Sequence, residues 1–354
     1  MKNKKIAIKS PSPSQSSGAF PFDKRGTKKR IAIFYGGKMS KHLKLLREAA
    51  KKMKVQVDLI SYNKVSYFVN FQFSKSNFQS KSPLNPLFDE RGDTSLGGYN
   101  VIFFRTTGKH WEEVNLVVDW VKKNNPKCKI VDPLVEKGRP SDACKAWQMV
   151  ELTKNKIEVP HTIYGSLWTL FKSLSPPTVV GGASPFDKGE QLSFPVILKG
   201  SSGDRGTNVF KIDNMKQLEK KIRQLRKIEI EGGKRYMLQE FIPNDGDYRI
   251  LVLGNKVLGA MKRTSKNFNK EFRNNFSVGG RVEVVEIPES IKKLAIKAAK
   301  VCGLLVAGVD VVYRNGDVKK PVVWEVNKGP QFWGFMEATG IDVPKEIIKF
   351  LIDL

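Results

Sequence analysis

Asp310, Glu325 and Asn327 are the residues whose types and spacing most directly suggest chemistry. Glu325 and Asn327 stand two apart in Pro321-Val-Val-Trp-Glu-Val-Asn327, a run of strand formers. Side chains two apart on a strand share a face. Asp310 ends a second apolar run, Leu304-Leu-Val-Ala-Gly-Val-Asp310, with Val311 and Val312 following. A carboxylate in such a run is expected to be partly buried, and a buried charge needs a cation or metal beside it. If the two strands pair, three oxygen ligands converge on one patch. Hard cations such as Mg²⁺ prefer that donor set and take one or two carboxylates together with substrate phosphates.

A place for phosphates lies more than a hundred residues upstream, in Phe194-Pro-Val-Ile-Leu-Lys-Gly-Ser-Ser-Gly-Asp-Arg-Gly-Thr-Asn-Val-Phe210. An apolar run ends at Lys199, a loop carries Gly200, Gly203 and Gly206, and the apolar pattern resumes at Val209, Phe210 and Ile212. The pattern predicts two antiparallel strands joined by a mobile loop over residues 200–208. Glycines let the backbone approach a polyphosphate and turn its N–H groups inward, and Lys199 adds an ammonium. Neither Gly-x-x-x-x-Gly-Lys-Ser/Thr nor Gly-x-Gly-x-x-Gly opening a helix is present, and Gly37-Lys38 lacks the flanking residues of the former. Taken alone, the loop reads equally as a flexible hairpin.

Further elements follow in order: Gln239-Glu-Phe-Ile242, Asp247-Tyr-Arg249, Arg263, Phe272-Arg-Asn-Asn275, Gly279-Gly280, Ala307-Gly-Val-Asp310, Glu325-Val-Asn327 and Ala338-Thr-Gly-Ile-Asp342. With the lysine-ended strand and glycine-rich loop, this order resembles the ATP-grasp superfamily, and most closely its RimK-like amino-acid ligases. The resemblance runs without large gaps from about residue 140 to 350. It implies an α/β and α+β ATP-grasp fold: a tail over 1–28, a parallel α/β pre-grasp domain over 29–138, a lid subdomain over 139–242 with the glycine-rich loop, and an antiparallel-sheet subdomain over 243–354.

The resemblance also implies a chemistry and a set of roles. A substrate carboxylate takes the γ-phosphoryl group of ATP, and an amine then displaces phosphate to leave an amide. Metal ions and fixed cations offset the charge on ATP, on the carboxylate and on the transferring group. Asp310, Glu325 and Asn327 are expected to hold Mg²⁺ (or Mn²⁺), as a pair of ions. Lys145 and Lys199 fall where the family keeps its phosphate-binding lysines, and Gly203 and Gly206 belong to the phosphate loop. Glu240 and Phe241 are expected at adenine, Asp247 on the sugar side, and Arg263, Arg273 and Asn275 around the transferring phosphoryl group and substrate carboxylate. Without the resemblance, Lys145 on a probable helix reads as a solvent-facing residue.

Upstream, Arg30 to Phe34, Val55 to Ile60, Val101 to Phe104 and Lys129 to Val131 read as strands. Met39 to Met53, with Ser40 as cap and Leu43, Leu46, Ala50 and Met53 along one face, and Trp111 to Lys122 read as helices. The alternation suggests a small parallel α/β domain, interrupted by an insertion over residues 61–98. The three cysteines, Cys128, Cys144 and Cys302, show no metal spacing, and with no signal peptide they point to reduced thiols in the cytoplasm. His42, His110 and His161 are isolated, and Trp324 and Trp333 read as packing residues. No apolar run is long enough to span a membrane.

The net charge is +27, of which residues 1–30 contribute +8. The Ser/Pro-rich tail is too poor in apolar residues to fold alone. A basic body favours anionic partners: ATP, an anionic amino acid, peptide or protein substrate, or nucleic acid through the tail. Dispersed lysines without a nucleic-acid motif disfavour the last of these. Alternatives to RimK-like glutamate addition are a D-alanine–D-alanine-type or glutathione-synthetase-type ligase, and a basic nucleic-acid- or anionic-surface-binding protein on a grasp scaffold. One departure stands out. After Asn327 comes Lys328-Gly-Pro-Gln-Phe-Trp-Gly334, where RimK-like proteins carry a small residue, serine, proline and glycine. This loop is expected to border the acceptor site.

Overall fold

The computed structural model describes residues 29–65, 96–108, 110–138, 145–174, 192–201, 208–233, 235–265 and 281–354. The tail over 1–28, most of the expected insertion, Cys144, and the central residues 202–207 of the expected lid lie outside the described residues.

Strands β1 (Arg30–Tyr35), β2 (Gln56–Ser61), β3 (Val101–Phe104) and β4 (Lys129–Val131) form a parallel sheet in the order β2-β1-β3-β4. A parallel sheet needs cover on both faces, and β1 shows how the sequence provides it. Ile31 and Ile33 enter one core with Leu43, Leu46 and Ala50 of helix α1 (Lys41–Lys52). Ala32 and Phe34 enter the opposite core with Val114, Val117, Val118 and Val121 of α2 (Trp111–Asn124). Ser40 caps α1 as expected, its hydroxyl accepting from the Leu43 N–H at 3.3 Å. A short helix, α3 (Pro133–Glu136), follows β4.

A second, antiparallel sheet has the order β5-β8-β6-β7, from β5 (Thr162–Gly165), β6 (Val196–Gly200), β7 (Val209–Ile212) and β8 (Tyr236–Glu240). Helices α5 (Leu167–Leu174) and α6 (Met215–Gly232) cover it through Leu167, Leu170, Leu218, Ile222 and Leu225. Helix α4 (Lys145–Lys154) precedes this unit.

The third sheet is antiparallel in the order β11-β10-β9-β12-β13. Its strands are β9 (Asp247–Leu253), β10 (Lys256–Thr264), β11 (Arg281–Val285), β12 (Val306–Tyr313) and β13 (Pro321–Lys328). One face packs on α7 (Glu289–Val301), through Ala295, Ala298 and Ala299 against Ile250, Val252, Val309 and Val311. The other meets α8 (Trp333–Thr339) and α9 (Val343–Asp353).

Two findings differ from the sequence expectations. Asp310 does not end its strand: β12 continues through Tyr313 with all eight residues buried, and a bulge against β13 falls between Asp310 and Val311. Residues 332–352 do not serve the third sheet alone. Phe332, Phe335, Ile347, Ile348 and Leu351 share one core with Ile31, Leu43 and Leu46, so the final helices complete the cover of the first sheet. Among the described residues, no helix is long and apolar enough to cross a membrane.

Candidate active site

The pairing of β12 with β13 sets Asp310 directly opposite Glu325, and Gly308 opposite Asn327. The expected ligand set is therefore assembled by strand register, with no help from any loop. Asn327 donates from Nδ2 to Asp310 Oδ2 at 3.1 Å, which leaves its amide oxygen outside that bond. Among the described residues, no three His, Cys, Asp or Glu side chains gather at a metal-binding spacing. The candidate set is two carboxylates and an amide.

Cations surround it. Helix α4 brings Lys145 Nζ to 3.0 Å from Glu325 Oε1, and Gln148, one turn along, anchors the helix by donating to the Val326 carbonyl at 3.0 Å. Lys199, near the end of β6, is close enough to Lys145, Glu325 and Asp310 to feel their charges. Burial and then Lys145 push its ammonium down to about 8, while Glu325 and Asp310 pull the other way. On Glu325, burial opposes ionisation, but Lys145, Lys199 and Arg249 outweigh it and hold the carboxyl at about 2. Two ammoniums close enough to repel suit a polyanion, and hard oxygen donors beside them suit Mg²⁺. The residues present fit both groups.

Beneath the ligands lies a buried four-charge cluster. Arg249 grips Asp310 with two bonds, Nε to Oδ1 at 2.8 Å and Nη2 to Oδ2 at 2.6 Å. Arg263 grips Asp247 with both Nε and Nη2, and its Nη2 also lies 3.0 Å from Asp310 Oδ2. Asp247, Arg263 and Asp310 are 1, 3 and 2 % exposed. Burial opposes the charge on Arg263, but Asp310 and Asp247 raise its pKa above the ordinary guanidinium range. Burial raises the pKa of Asp247 against the pull of Arg263. Strand register again explains the arrangement: Arg249 stands opposite Asp310, and Asp247 opposite Arg263.

Two of the expected site residues are bonded to other side chains. Arg263, expected to face a transferring phosphoryl group, has its guanidinium committed to Asp247 and Asp310. Asp247, expected on the nucleotide's sugar side, is committed to Arg263. Both are buried within the third sheet, in the same charge cluster as Asp310. Glu240 is bound by Arg314, which also reaches Glu158 at 3.2 Å, so the end of β8 is tied to the turn after β12. Burial opposes ionisation of Glu240, but Arg314 holds its pKa below the ordinary value. Phe241 lies under Lys211 Nζ, 4.4 Å from the ring centre. Gly203, Gly206, Arg273 and Asn275 lie outside the described residues.

Arg249, Gln148 and Arg314 were not among the expected site residues. Arg249 was detectable, because it stands two residues from Asp247 on one strand and so shares its face. Gln148 and Arg314 act across 178 and 74 residues and carry no local signal.

A parallel α/β sheet followed by two antiparallel sheets, with Lys199 of the second sheet near Glu325 and Asp310 of the third, is the make-up of an ATP-grasp fold. PsnB, an ATP-grasp ligase solved with a minimal precursor, superposes with a TM-score of 0.61 at 17 % identity, covering 92 % of this chain and 99 % of that one. A second PsnB structure, with a phosphomimetic precursor variant, Mg and ADP, gives 0.61 at 16 % identity, covering 92 and 98 %. Residues 183–351 match the family model of the RimK-like ATP-grasp domain. A probable alpha-L-glutamate ligase of Syntrophotalea carbinolica is 33 % identical over 223 residues, 62 % of this chain and 66 % of that protein. The chain spans between half and two thirds of the length of the curated relatives it matches.

Proposed function

We propose that this chain is an ATP-dependent carboxylate–amine ligase that adds an amino acid such as glutamate to a peptide, protein or small-molecule acceptor. The observation that carries this is the set Asp310, Glu325 and Asn327 facing Lys145 and Lys199 across two sheets. Mg²⁺ and ATP supply, when bound, charge neutralisation and the phosphoryl group that makes a carboxylate reactive toward an amine. Asp310, Glu325 and Asn327 are the residues that would hold the metal, and Lys145 and Lys199 those that would take the phosphates.

The chain's own contribution is fixed charge at fixed distance. Arg249 and Arg263 hold Asp310 in a fixed orientation, away from solvent. Lys145 rests on Glu325 in the ligand-free protein and is placed to exchange that carboxylate for phosphate oxygen. Lys199 stays desolvated beside it, so an arriving polyanion relieves a repulsion already present. The names of the relatives support glutamate as the amino acid, and the basic charge of the chain supports an anionic substrate. Free, buried thiols at Cys128 and Cys302 suit a cytoplasmic setting.

The test is a screen of amino acids and peptides for phosphate release from Mg²⁺–ATP, followed by mass spectrometry of the product. Release that depends on an added amino acid, with a product heavier by one amino-acid residue, is expected. Release indifferent to any amino acid, with no ligated product, would refute the proposal.

A further inference from the structure

The loop after Asn327 carries the residues by which this chain departs from its family, and they turn to the parallel sheet. Lys328 Nζ donates to the Phe104 carbonyl at 2.6 Å. Arg105, the next residue along that strand's exit, donates from Nη2 to the Pro330 carbonyl at 2.7 Å. Phe332 is fully buried in the first sheet's core, edge-on to His42 and beneath the Arg105 guanidinium. Trp333 lies under Lys41. The large side chains that distinguish this loop therefore fasten it to the first sheet.

Arg105 is the centre of this fastening, and its situation is unusual. It is 6 % exposed, and among the described residues its Nε and Nη1 atoms have no hydrogen-bond partner. A buried guanidinium with unmet donors is costly, and Asp132 offsets part of that cost electrostatically. Gly329 lies against it at φ +57°: a Cβ there would fall 2.1 Å from Arg105 Nη1 and 2.3 Å from its carbonyl oxygen. On the far side, Pro330 packs on Gly308, where a Cβ would come within 2.8 Å of the proline ring. Gly308 is the register partner of Asn327. The loop is thus clamped between Arg105 and the strand that carries Asp310, starting one residue after a proposed ligand.

We propose that Arg105 is a positioning residue for the metal site: by holding the 329–330 main chain it fixes Asn327 against Asp310 and locks the first sheet to the metal-ligand strand. The role rests on the proposed Mg²⁺–ATP chemistry, but the clamp itself is testable without it. Arg105→Met removes the bond to Pro330 while retaining much of the bulk. Arg105→Lys keeps the charge and one donor. Gly329→Ala attacks the same contact from the loop side and serves if Arg105→Met does not fold.

Hydrogen exchange in the ligand-free protein is the activity-independent measurement. Amides at 328, 329, 331 and 332 should exchange at least about tenfold faster in Arg105→Met, with Arg105→Lys between it and wild type. In turnover assays the Mg²⁺ concentration for half-maximal rate should rise by about tenfold, with much of kcat recovered at saturating Mg²⁺. A loss of stability alone would lower the active fraction and leave that half-saturation unmoved. Unchanged exchange at 328–332, or lost turnover at an unchanged Mg²⁺ half-saturation, would overturn the positioning role. If wild type performs no ligation, the proposed function fails, while the exchange experiment still decides the clamp.

Discussion

Asp310→Asn and Glu325→Gln should both impair a metal site, yet their effects on stability should differ sharply. The cluster of Asp247, Arg249, Arg263 and Asp310 is neutral as it stands and almost wholly buried. Replacing Asp310 by Asn leaves one net positive charge inside and strips Arg249 of its paired acceptor. Breaking a buried pair from one side typically costs about 3–5 kcal/mol. Glu325 is different, because its contact with Lys145 keeps a share of solvent. Losing that contact should cost about 1 kcal/mol or less. With a urea dependence of about 3 kcal/mol per molar, Asp310→Asn should lower the unfolding midpoint by roughly 1 M, and Glu325→Gln by a few tenths. Urea titrations of the ligand-free protein, followed by tryptophan fluorescence and far-UV circular dichroism, are the assay. Arg249→Met combined with Asp310→Asn restores neutrality and should recover part of the loss. Equal midpoints for Asp310→Asn and wild type would refute the claim that this cluster braces the strand.

Three further outcomes are expected. Glu325→Gln and Asn327→Ala should each lower Mg²⁺-dependent turnover by at least about 100-fold, or roughly 2.7 kcal/mol of transition-state stabilisation, while remaining folded by circular dichroism. Lys199→Met should leave the ligand-free protein at least as stable as wild type, since it removes a desolvated cation, but weaken calorimetric binding of a Mg²⁺–ATP analogue by at least about tenfold. Arg314→Met should be less stable than wild type at pH 6. Because Arg314 depresses the Glu240 pKa below its ordinary 4.5, that stabilisation is present above 4.5 and lost as pH falls through the folded value. The gap in thermal midpoint should therefore narrow by pH 3.

The juxtaposition of Asp310, Glu325 and Asn327 was legible in the sequence because strand periodicity and pairing alone place them together. The parallel sheet was legible for a similar reason: β1 and β3 are unbroken apolar runs, and α1 shows its cap and its apolar face locally. Arg263 and Asp247 were singled out in the sequence, but their pairing with each other was not. A sequence does not show that two opposite charges 16 residues apart will find each other across a buried register. The loop after Asn327 was singled out from its composition, as a border of the acceptor site. Its attachment to Phe104 and Arg105 spans more than 220 residues and has no periodic signature.

The packing of the final helices against α1 has a consequence for how the chain is made. Leu43 and Leu46 leave the ribosome roughly 300 positions ahead of their partners Ile347, Ile348 and Leu351. Until then, the face of the first sheet that packs on α1 is only partly covered. At about 5–20 residues per second, that exposure lasts on the order of 15–60 seconds, long enough for a chaperone to engage it. The parallel α/β domain is thus finished only once α9 is made, and a lesion in α9 should be felt as exposure of apolar surface on that domain.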